Sequence, residues 1–327
     1  MNNEELLKIK RLLKEYGKER LYCNILKVKD YNTIKNIIEM EEWDDPKYSC
    51  LLTSNVFKTN VNEIRKILNM PEWKNPKYKK LLTPSIWQSY YNEIRNILSM
   101  EEWNDPRYSH LLTSTIWHSG YNEVKKILEI KELTDPKFKK LVTSSIWEST
   151  YDNIDKILKM KEWENPRFKK LLTPTIWKSN YEDVVNILGM EEWNDPKYSY
   201  LLTSNIWKSS YENIKNKLYS PYLQDDKYKH LLVPSIFSIS LSNIENGIEL
   251  LKKYGVDKYV TNKMLRHKTT TLELLLDYII DNDLSLIVEH TKTGDKILNP
   301  ILSCEKGKLK KKYGIDLEKL EKKGKSR

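Results

Sequence analysis

A lysine or arginine recurs every 30 residues, directly after a proline that could begin a short helix. Cationic side chains at regular intervals can neutralise the phosphate groups of a nucleic acid. In the first turn of a helix a cation opposes the helix dipole, so its repeated use indicates a compensating role. That role is either one phosphate contact per interval, or neutralisation by the preceding Asp or Asn and by a glutamate such as Glu102. The seven residues are Lys47, Lys77, Arg107, Lys137, Arg167, Lys197 and Lys227, with Asp226 in place of the last proline.

A second basic position recurs within a longer predicted helix, beside its apolar stripe. On a helical wheel, Arg95 flanks the stripe that contains Ile94 and Leu98. Cations at such an edge are candidate phosphate contacts, or they cover apolar surface with their stems and bind nothing. The series is Lys35, Arg65, Arg95, Lys125 and Lys215, and Asp155 and Val185 interrupt it.

The most variable residues of the repeating pattern surround the start of this longer helix. A protein that reads bases one unit at a time needs a constant frame with variable polar side chains and free N–H groups at a helix start. Exposed positions also vary, however, when no selection acts on them. Helices pack roughly 8–10 Å apart, whereas stacked bases advance about 3.4 Å, so each unit would span several nucleotides. The variable positions are Lys58, Gln88, His118, Glu148, Lys178 and Lys208 before the start, and Asn60, Tyr90, Gly120, Thr150, Asn180 and Ser210 after it.

All these residues belong to a tandem repeat. From Leu21 to His230 the chain contains seven units of 30 residues without insertion, and an altered eighth unit starts at Leu231. The ten tryptophans occupy two repeat positions, which predicts a core shared between units rather than platforms for stacking bases. They are Trp87, Trp117, Trp147, Trp177 and Trp207 at one position, and Trp43, Trp73, Trp103, Trp163 and Trp193 at the other.

Each unit is predicted to form two helices and a short turn. Ser89 is the expected N-cap of the longer helix, and Ser179 with Glu182 and Ser209 with Glu212 have the spacing of capping boxes. Asp105 followed by Pro106 predicts the start of the second helix. Because neither helix can bury its apolar face alone, the expected fold is an all-α solenoid.

The sequence divides into four expected regions. Residues 1–20 form an N-terminal capping helix, and residues 21–230 form the seven repeats. Residues 231–303 form a divergent repeat and C-terminal cap, with helices expected from Ser242 to Leu251 and from Thr269 to Ile280, and a small hairpin around a Thr-Gly-Asp turn. Residues 304–327 form a lysine-rich helix with a frayed tail.

The stretch LLVPSIFSISLSNIENGIELLKKYGVDKYVTNKMLR, from Leu231 to Arg266, resembles the repeats of the mitochondrial transcription termination factor (mTERF) family. It shares the rhythm of Leu-Leu, a Ser, an amphipathic helix ending in Leu-Lys-x-x-Gly-Val, and a following helix. The resemblance implies units of two α-helices and a 3₁₀ turn that wind into a superhelix whose basic concave groove binds nucleic acid.

Composition excludes several other classes of protein. Hydrophobic residues make up 39% and charged residues 31% of the 327 residues, which indicates a folded chain. No membrane-spanning or signal-peptide pattern is present, and three isolated cysteines indicate a reducing compartment, so we expect a cytoplasmic protein. The five histidines lack metal-ligand spacing and no catalytic constellation recurs, so we expect neither an enzyme nor a bound metal or cofactor.

The net charge of +10 favours nucleic acid as the partner, yet residues 21–230 carry 32 basic and 29 acidic residues. Basic surface in the repeats must therefore come from segregation of charge. The sequence predicts non-catalytic binding of DNA or RNA along a concave basic surface. The alternative is a scaffold for a protein partner, and neither a membrane nor a small-molecule substrate is expected.

Overall fold

The computed structural model describes residues 3–22, 30–289 and 296–324 of the chain, and this part is helical almost throughout. One two-stranded hairpin is its only sheet. The predicted all-α class is therefore confirmed. Cys23 and the predicted Thr-Gly-Asp turn lie outside the described residues.

Packing divides the chain into two compact bodies. The N-terminal body comprises residues 1–161 and 172–181, and the C-terminal body comprises residues 162–171 and 182–327. The 30-residue pattern of secondary structure continues through both bodies.

Each repeat contains one α-helix of eight residues, termed the long helix. Its buried face uses the apolar spacing of the sequence, as in Ile94, Ile97 and Leu98. A helix of this length is unstable alone, so its stability comes from packing against neighbouring segments. The long helices are Tyr31–Ile38, Val61–Leu68, Tyr91–Leu98, Tyr121–Leu128, Tyr151–Leu158, Tyr181–Leu188 and Tyr211–Leu218.

Short helical turns connect the long helices. The segment after the Asp-Pro or Asn-Pro step was expected to be a second helix, but it forms a single turn. The predicted cap is confirmed where a helical turn begins at the proline, as at Asp195, whose Oδ1 accepts a hydrogen bond of 2.8 Å from Lys197 N. Asp105 Oδ1 accepts the same bond from Arg107 N, but no helix begins at Pro106. Four of these turns are α-helical: Pro46–Ser49, Pro76–Lys79, Pro166–Lys169 and Pro196–Ser199. In the unit that contains Pro136 the turn is the 3₁₀ helix Pro136–Leu141. In two other units a 3₁₀ turn forms later in the segment, at Ser109–Leu111 and at Lys229–Leu231.

Two further turns per unit carry the tryptophans. The first follows the long helix and is replaced by the α-helical turn Pro221–Gln224 in the last repeat. The first set is Glu41–Asp44, Pro71–Lys74, Glu101–Asn104, Lys131–Thr134, Lys161–Glu164 and Glu191–Asn194. The second set is Val56–Lys58, Pro84–Gln88, Ser114–His118, Ser144–Glu148, Pro174–Lys178, Ser204–Lys208 and Pro234–Ser238.

The predicted N-caps of the long helices are wrong by one residue. Tyr90, not Ser89, is the N-cap of Tyr91–Leu98, and Ser210, not Ser209, caps Tyr211–Leu218. Ser89 is instead buried and donates a hydrogen bond of 3.0 Å to Trp117 O in the next unit. The capping boxes predicted at Ser179 and Ser209 are therefore incorrect, because this serine position faces a neighbouring segment.

The tryptophans form the core, as predicted. All ten indoles are at most 8% exposed. At one repeat position the indole Nε1 donates within its own unit, for example from Trp103 to Ile97 O at 2.5 Å. At the other position it donates to the carbonyl 36 residues earlier, in the preceding unit. These bonds join Trp87 to Leu51, Trp117 to Leu81, Trp147 to Leu111 and Trp177 to Leu141 in the N-terminal body, and Trp207 to Leu171 in the C-terminal body, at 2.7–2.9 Å.

The ends of the chain differ from the repeats. The helix Asn3–Glu15 buries Ile9, Leu12 and Leu13, and the 3₁₀ turn Glu19–Leu21 follows it. In the C-terminal body the helices Leu241–Lys253 and Thr269–Asp281 closely match the predicted ones. Between them lie the 3₁₀ turn Asp257–Tyr259 and the short helix Asn262–Leu265.

The predicted hairpin is present after these helices. Its strands β1 (Ile287–Glu289) and β2 (Lys296–Leu298) are antiparallel, with Val288 opposite Ile297. Two 3₁₀ turns follow, Pro300–Ser303 and Lys306–Lys308.

The lysine-rich C-terminal segment forms two helices rather than the single predicted one. Leu309–Tyr313 ends at Gly314, whose φ of +70° favours glycine, and Leu317–Gly324 follows. Leu309, Ile315 and Leu317 are buried, so this segment is part of the packed structure. Residues 325–327, which include the end of the predicted frayed tail, lie outside the described part of the chain.

None of the helices in the described ranges combines the length and the apolar composition that crossing a membrane requires.

Candidate functional site

The cations that follow the helix-starting prolines lie against the aromatic ring of the next residue. Their charged groups are 4.8–5.9 Å from the ring centroids, a cation–π distance. The six pairs are Lys47 with Tyr48, Lys77 with Tyr78, Arg107 with Tyr108, Lys137 with Phe138, Lys197 with Tyr198, and Lys227 with Tyr228.

Several of these cations also bond to the following unit. Lys77 Nζ donates to Trp103 O at 2.7 Å and to Asn104 Oδ1 at 3.3 Å. In the C-terminal body Arg167 donates to Asn194 at 2.9 Å, Lys197 donates to Gln224 at 2.5 Å, and Lys227 pairs with Asp257. The main partners are thus polar groups on the next unit's turn rather than the glutamates expected from sequence. These contacts offset the unfavourable helix dipole and connect successive segments.

Arg107 bonds within its own unit instead. Its guanidinium bonds to Asp105 within the same unit, with Nη2 to Oδ2 at 2.6 Å. This hydrogen bond, together with the one from Arg107 N, holds the pKa of Asp105 below its usual value.

The second basic series has fewer partners. Lys35 pairs with Glu39 at 3.9 Å, and Arg65 pairs with Glu42 at 3.5 Å. Arg95 and Lys125 are exposed and form no ion pair within the described ranges. Lys215 Nζ lies 5.8 Å from the centroid of the Tyr211 ring in its own helix. Where Asp155 interrupts the series, it pairs with Lys159 at 2.6 Å.

Three consecutive long helices bring part of this series together. Val61–Leu68 packs against Tyr91–Leu98, which packs against Tyr121–Leu128. Their exposed cations are Arg65, Lys66, Arg95, Lys125 and Lys126, which we term the basic face. Sequence reasoning missed Lys66 and Lys126, although each directly follows a predicted cation in the chain.

The glutamates of the same three helices lie near the start of the next long helix. Glu63 Oε1 accepts a hydrogen bond of 2.6 Å from Tyr91 N, and Glu123 accepts one from Tyr151 N. Glu93 Oε1 lies beside Gly120, 3.0 Å from the place of an added Cβ. Each half-buried glutamate thus approaches the start of the next long helix. These three helices consequently contain no exposed carboxylate, and the exposed Glu101 and Glu129 follow the second and the third helix.

The predicted reader positions are exposed or half-buried in every repeat. Lys178 Nζ pairs with Glu148 Oε2 at 3.3 Å, which places the equivalent residues of adjacent units side by side. His118, Gly120, Glu148 and Thr150 line an open groove of about 760 Å³. The full set whose placement is described is Lys58, Gln88, His118, Glu148, Lys178, Lys208, Asn60, Tyr90, Gly120, Thr150, Asn180 and Ser210.

The free helix N–H groups expected beside these residues are largely used within the fold. In the groove, Tyr151 N donates to Glu123, and Asn153 N donates to Thr150 Oγ1 at 3.3 Å. In other units Asn60 and Ser210 accept from the third residue of their helices. Recognition at the groove would therefore depend on side chains such as His118 and Lys126, which also line it.

In the described ranges, no three or more His, Cys, Asp or Glu residues are grouped so that they could hold a metal ion. Cys50 is exposed and Cys304 is buried, and neither is in a disulfide.

No protein-family model, curated protein or solved structure matches the chain. The resemblance of residues 231–266 to the mTERF family therefore stays a prediction.

Proposed function

We propose that the repeats stack as an α-solenoid and that the protein binds nucleic acid without catalysing a reaction. The observation that supports this proposal is the basic face, where three adjacent helices carry five exposed cations and no exposed carboxylate. Of these five cations only Arg65 has an ion pair within the described ranges, with Glu42. Nucleic-acid phosphates are the partners that such a charge distribution attracts most strongly.

The dimensions of the basic face suit several phosphates. Three helices packed side by side span roughly 20 Å, which corresponds to the rise of about six stacked bases. Arg65, Arg95 and Lys125 would each contact a phosphate, with Lys66 and Lys126 adding charge. Because Lys126 also lines the groove of about 760 Å³, the bases could reach the reader positions there. The sequence of residues 231–266, which resembles mTERF repeats, supports the same class of partner.

The cations after the prolines have a second role in this proposal. Since Lys77, Arg167 and Lys197 are hydrogen-bonded to other segments, they would contribute less to phosphate binding than Arg95 does. Phosphate contacts by that series stay a prediction.

A protein-binding scaffold is the alternative function. The groove contains both signs of charge, since Glu148 and Asp152 line it together with Lys126. A mixed surface of this kind suits a polar protein partner as well as it suits a nucleic acid.

The test is fluorescence anisotropy with labelled single- and double-stranded DNA and RNA over a salt series. The variant Arg65→Gln/Arg95→Gln/Lys125→Gln removes three charges from the basic face. Lys79→Gln/Lys139→Gln/Lys140→Gln removes three exposed charges elsewhere in the same body and is the matched control. We expect the basic-face variant to bind more weakly and to lower the log–log salt slope by about 2–3, given roughly 0.7–0.9 per phosphate contact.

An equal loss of affinity in both variants would show that the interaction is only a general attraction between opposite charges. Absence of binding at low salt would rule out nucleic acid and favour the protein scaffold. Deleting residues 304–327 is an unsuitable control, because it would remove Leu309 and Leu317 from the core.

A further inference from the structure

A cavity in the C-terminal body collects positive charge from four different elements. It has a volume of about 820 Å³, and five of its lining residues are cationic. Lys258 belongs to a 3₁₀ turn, Lys263 and Arg266 to the helix Asn262–Leu265 and its end, Lys296 to β2, and Lys312 to Leu309–Tyr313. None of the described lining residues is acidic. We term this cavity the basic pocket.

Cations elsewhere in this body mostly have acidic partners. Lys227 pairs with Asp257, Lys252 with Glu249 at 2.8 Å, and Lys310 with Asp316 at 2.8 Å. Glu305, the carboxylate on which Lys263 and Arg266 act electrostatically, is itself paired with Lys308 at 2.7 Å. Four of the lining cations have no ion pair within the described ranges, namely Lys258, Lys263, Arg266 and Lys312. Like charges that line one cavity repel one another, and a bound anion would relieve that repulsion.

Asn262 adds an unused hydrogen-bond acceptor to the pocket wall. Its Nδ2 donates to Leu231 O at 2.9 Å and to Ser235 Oγ at 3.2 Å. The contact with a carbonyl oxygen fixes the orientation of the amide, because a flipped amide would place two acceptors together. Its Oδ1 is buried and has no partner. Because this oxygen is buried, it adds polarity to the wall and is not itself exposed to a ligand in the pocket.

Apolar and aromatic side chains complete the lining. Tyr259, Met264 and Leu298 line the same cavity as the cations. The combination of apolar walls, a few polar groups and a volume within the usual range of roughly 300–1,000 Å³ is typical of small-ligand sites.

We propose that the basic pocket binds a nucleotide through its terminal phosphate. The cations hold the phosphate dianion, and Tyr259 contacts the base or sugar. The nucleotide is either free or the 5′-phosphorylated end of a strand, and both present the same phosphomonoester. This inference goes beyond the proposed function, because it does not depend on binding at the basic face.

Isothermal titration calorimetry of the full chain tests the proposal. The ligands are adenosine 5′-monophosphate, adenosine, inorganic phosphate, and one oligonucleotide with either a 5′-phosphate or a 5′-hydroxyl. We expect the monophosphate to bind more tightly than adenosine or inorganic phosphate. A preference for the 5′-phosphorylated strand without binding of the free nucleotide would identify the strand end as the source, whereas binding of the free nucleotide would identify a small-molecule ligand.

Matched variants locate the binding. Lys312→Gln alters a lining residue and Lys311→Gln alters its exposed neighbour on the same helix, with the same change in charge. Lys263→Gln/Arg266→Gln has Lys253→Gln/Lys268→Gln as its control. We expect each pocket variant to weaken binding of the monophosphate roughly tenfold or more, and its control to leave it unchanged.

Three results would overturn the proposal. These are no binding of any phosphorylated ligand, equal losses in pocket and control variants, and inorganic phosphate binding as tightly as the nucleotide. Circular dichroism of each variant shows that it is folded. Since the basic-face residues are unchanged in these proteins, loss of one site is distinguishable from loss of the other.

Discussion

A cation that follows a helix-starting proline can neutralise a distant phosphate or serve a contact within the fold. Lys77 illustrates the second use, because its Nζ is 2.7 Å from Trp103 O and its stem lies beside Tyr78. Lys137 occupies the same repeat position, but its Nζ makes only the ring contact with Phe138 within the described residues. Substituting each lysine in turn therefore distinguishes a structural role of this repeat position from a binding role.

We expect Lys77→Met to lower the free energy of unfolding by about 1–2 kcal/mol, since a charged hydrogen bond to a carbonyl is lost. Lys137→Met should change the stability less, because no such bond is present. Urea unfolding measures both changes, and the salt series with labelled nucleic acid measures binding. If Lys77→Met leaves stability unchanged and weakens binding, the phosphate prediction for this series is favoured instead.

At the level of elements, the long helices depend on their neighbours for capping. Glu63 accepts from Tyr91 N at the start of the next helix, and Tyr78 Oη donates to Leu98 O at its end. Both partners lie in the preceding unit. An isolated helix of eight residues lacks these groups, which explains why the units need one another.

These distant partners also determine what the sequence could predict. The 30-residue period, the Asp-Pro caps and the buried tryptophans follow from local patterns, and the structure confirms the caps and the burial. The N-cap could not be assigned, because Ser89 satisfies the local pattern but bonds to Trp117, which is 28 residues away. Lys77 was likewise recognised as a candidate cation, but its partners lie 26 and 27 residues ahead.

Lys217 is an unusual residue in one of these helices. It occupies a buried position at which the preceding long helix has Ile187, and it is 2% exposed. Its Nζ donates to Ser209 Oγ at 3.1 Å and to Phe237 O at 3.4 Å. Burial lowers the pKa of Lys217 from 10.5 to about 8. The charged form is therefore less favourable in the folded protein than in the unfolded chain.

The stability of the protein should consequently rise with pH between about 8 and 10.5, the folded and unfolded pKa values of Lys217. In this window the unfolded chain retains the proton that the folded protein has lost, so raising the pH favours the folded state, by up to about 3 kcal/mol. Lys217→Met should be more stable than the natural protein at pH 7, and the difference should shrink towards pH 10. Urea unfolding at pH 7, 8, 9 and 10 measures this, and a constant difference would contradict the assignment.

For the whole molecule, the position of the charges is more informative than the net charge of +10. Some of the cations, including Lys77 and Arg167, are engaged in contacts between segments. Within the described ranges, exposed cations without an ion pair include Arg95 and Lys125 on the basic face of the N-terminal body, and Lys263 and Lys312 in the basic pocket of the C-terminal body. We propose that each body presents its own surface for an anionic ligand.

The indole hydrogen bonds join only neighbouring units. Removing one of them should therefore destabilise the repeats locally and leave distant repeats unaffected. Trp117→Phe deletes the hydrogen bond to Leu81 O, which then keeps only the bond from Thr83 N, at a cost of roughly 0.5–1.5 kcal/mol. We expect amide hydrogen exchange to increase in residues 81–128, which adjoin this link, and to remain nearly unchanged in residues 241–281.

Tyr90→Phe is the control, because this side chain is 73% exposed. A uniform increase in exchange throughout the chain would show that the array unfolds as a single cooperative unit.

The bond from each second-set tryptophan reaches back 36 residues, always to the same leucine of the unit before. If one complete copy of 30 residues were duplicated or lost, every donor would still meet an equivalent acceptor. A change of any other length would leave indoles facing the wrong residues. Such a gene can therefore lengthen or shorten by whole copies through recombination, and the number of repeats in its product can evolve in steps of one.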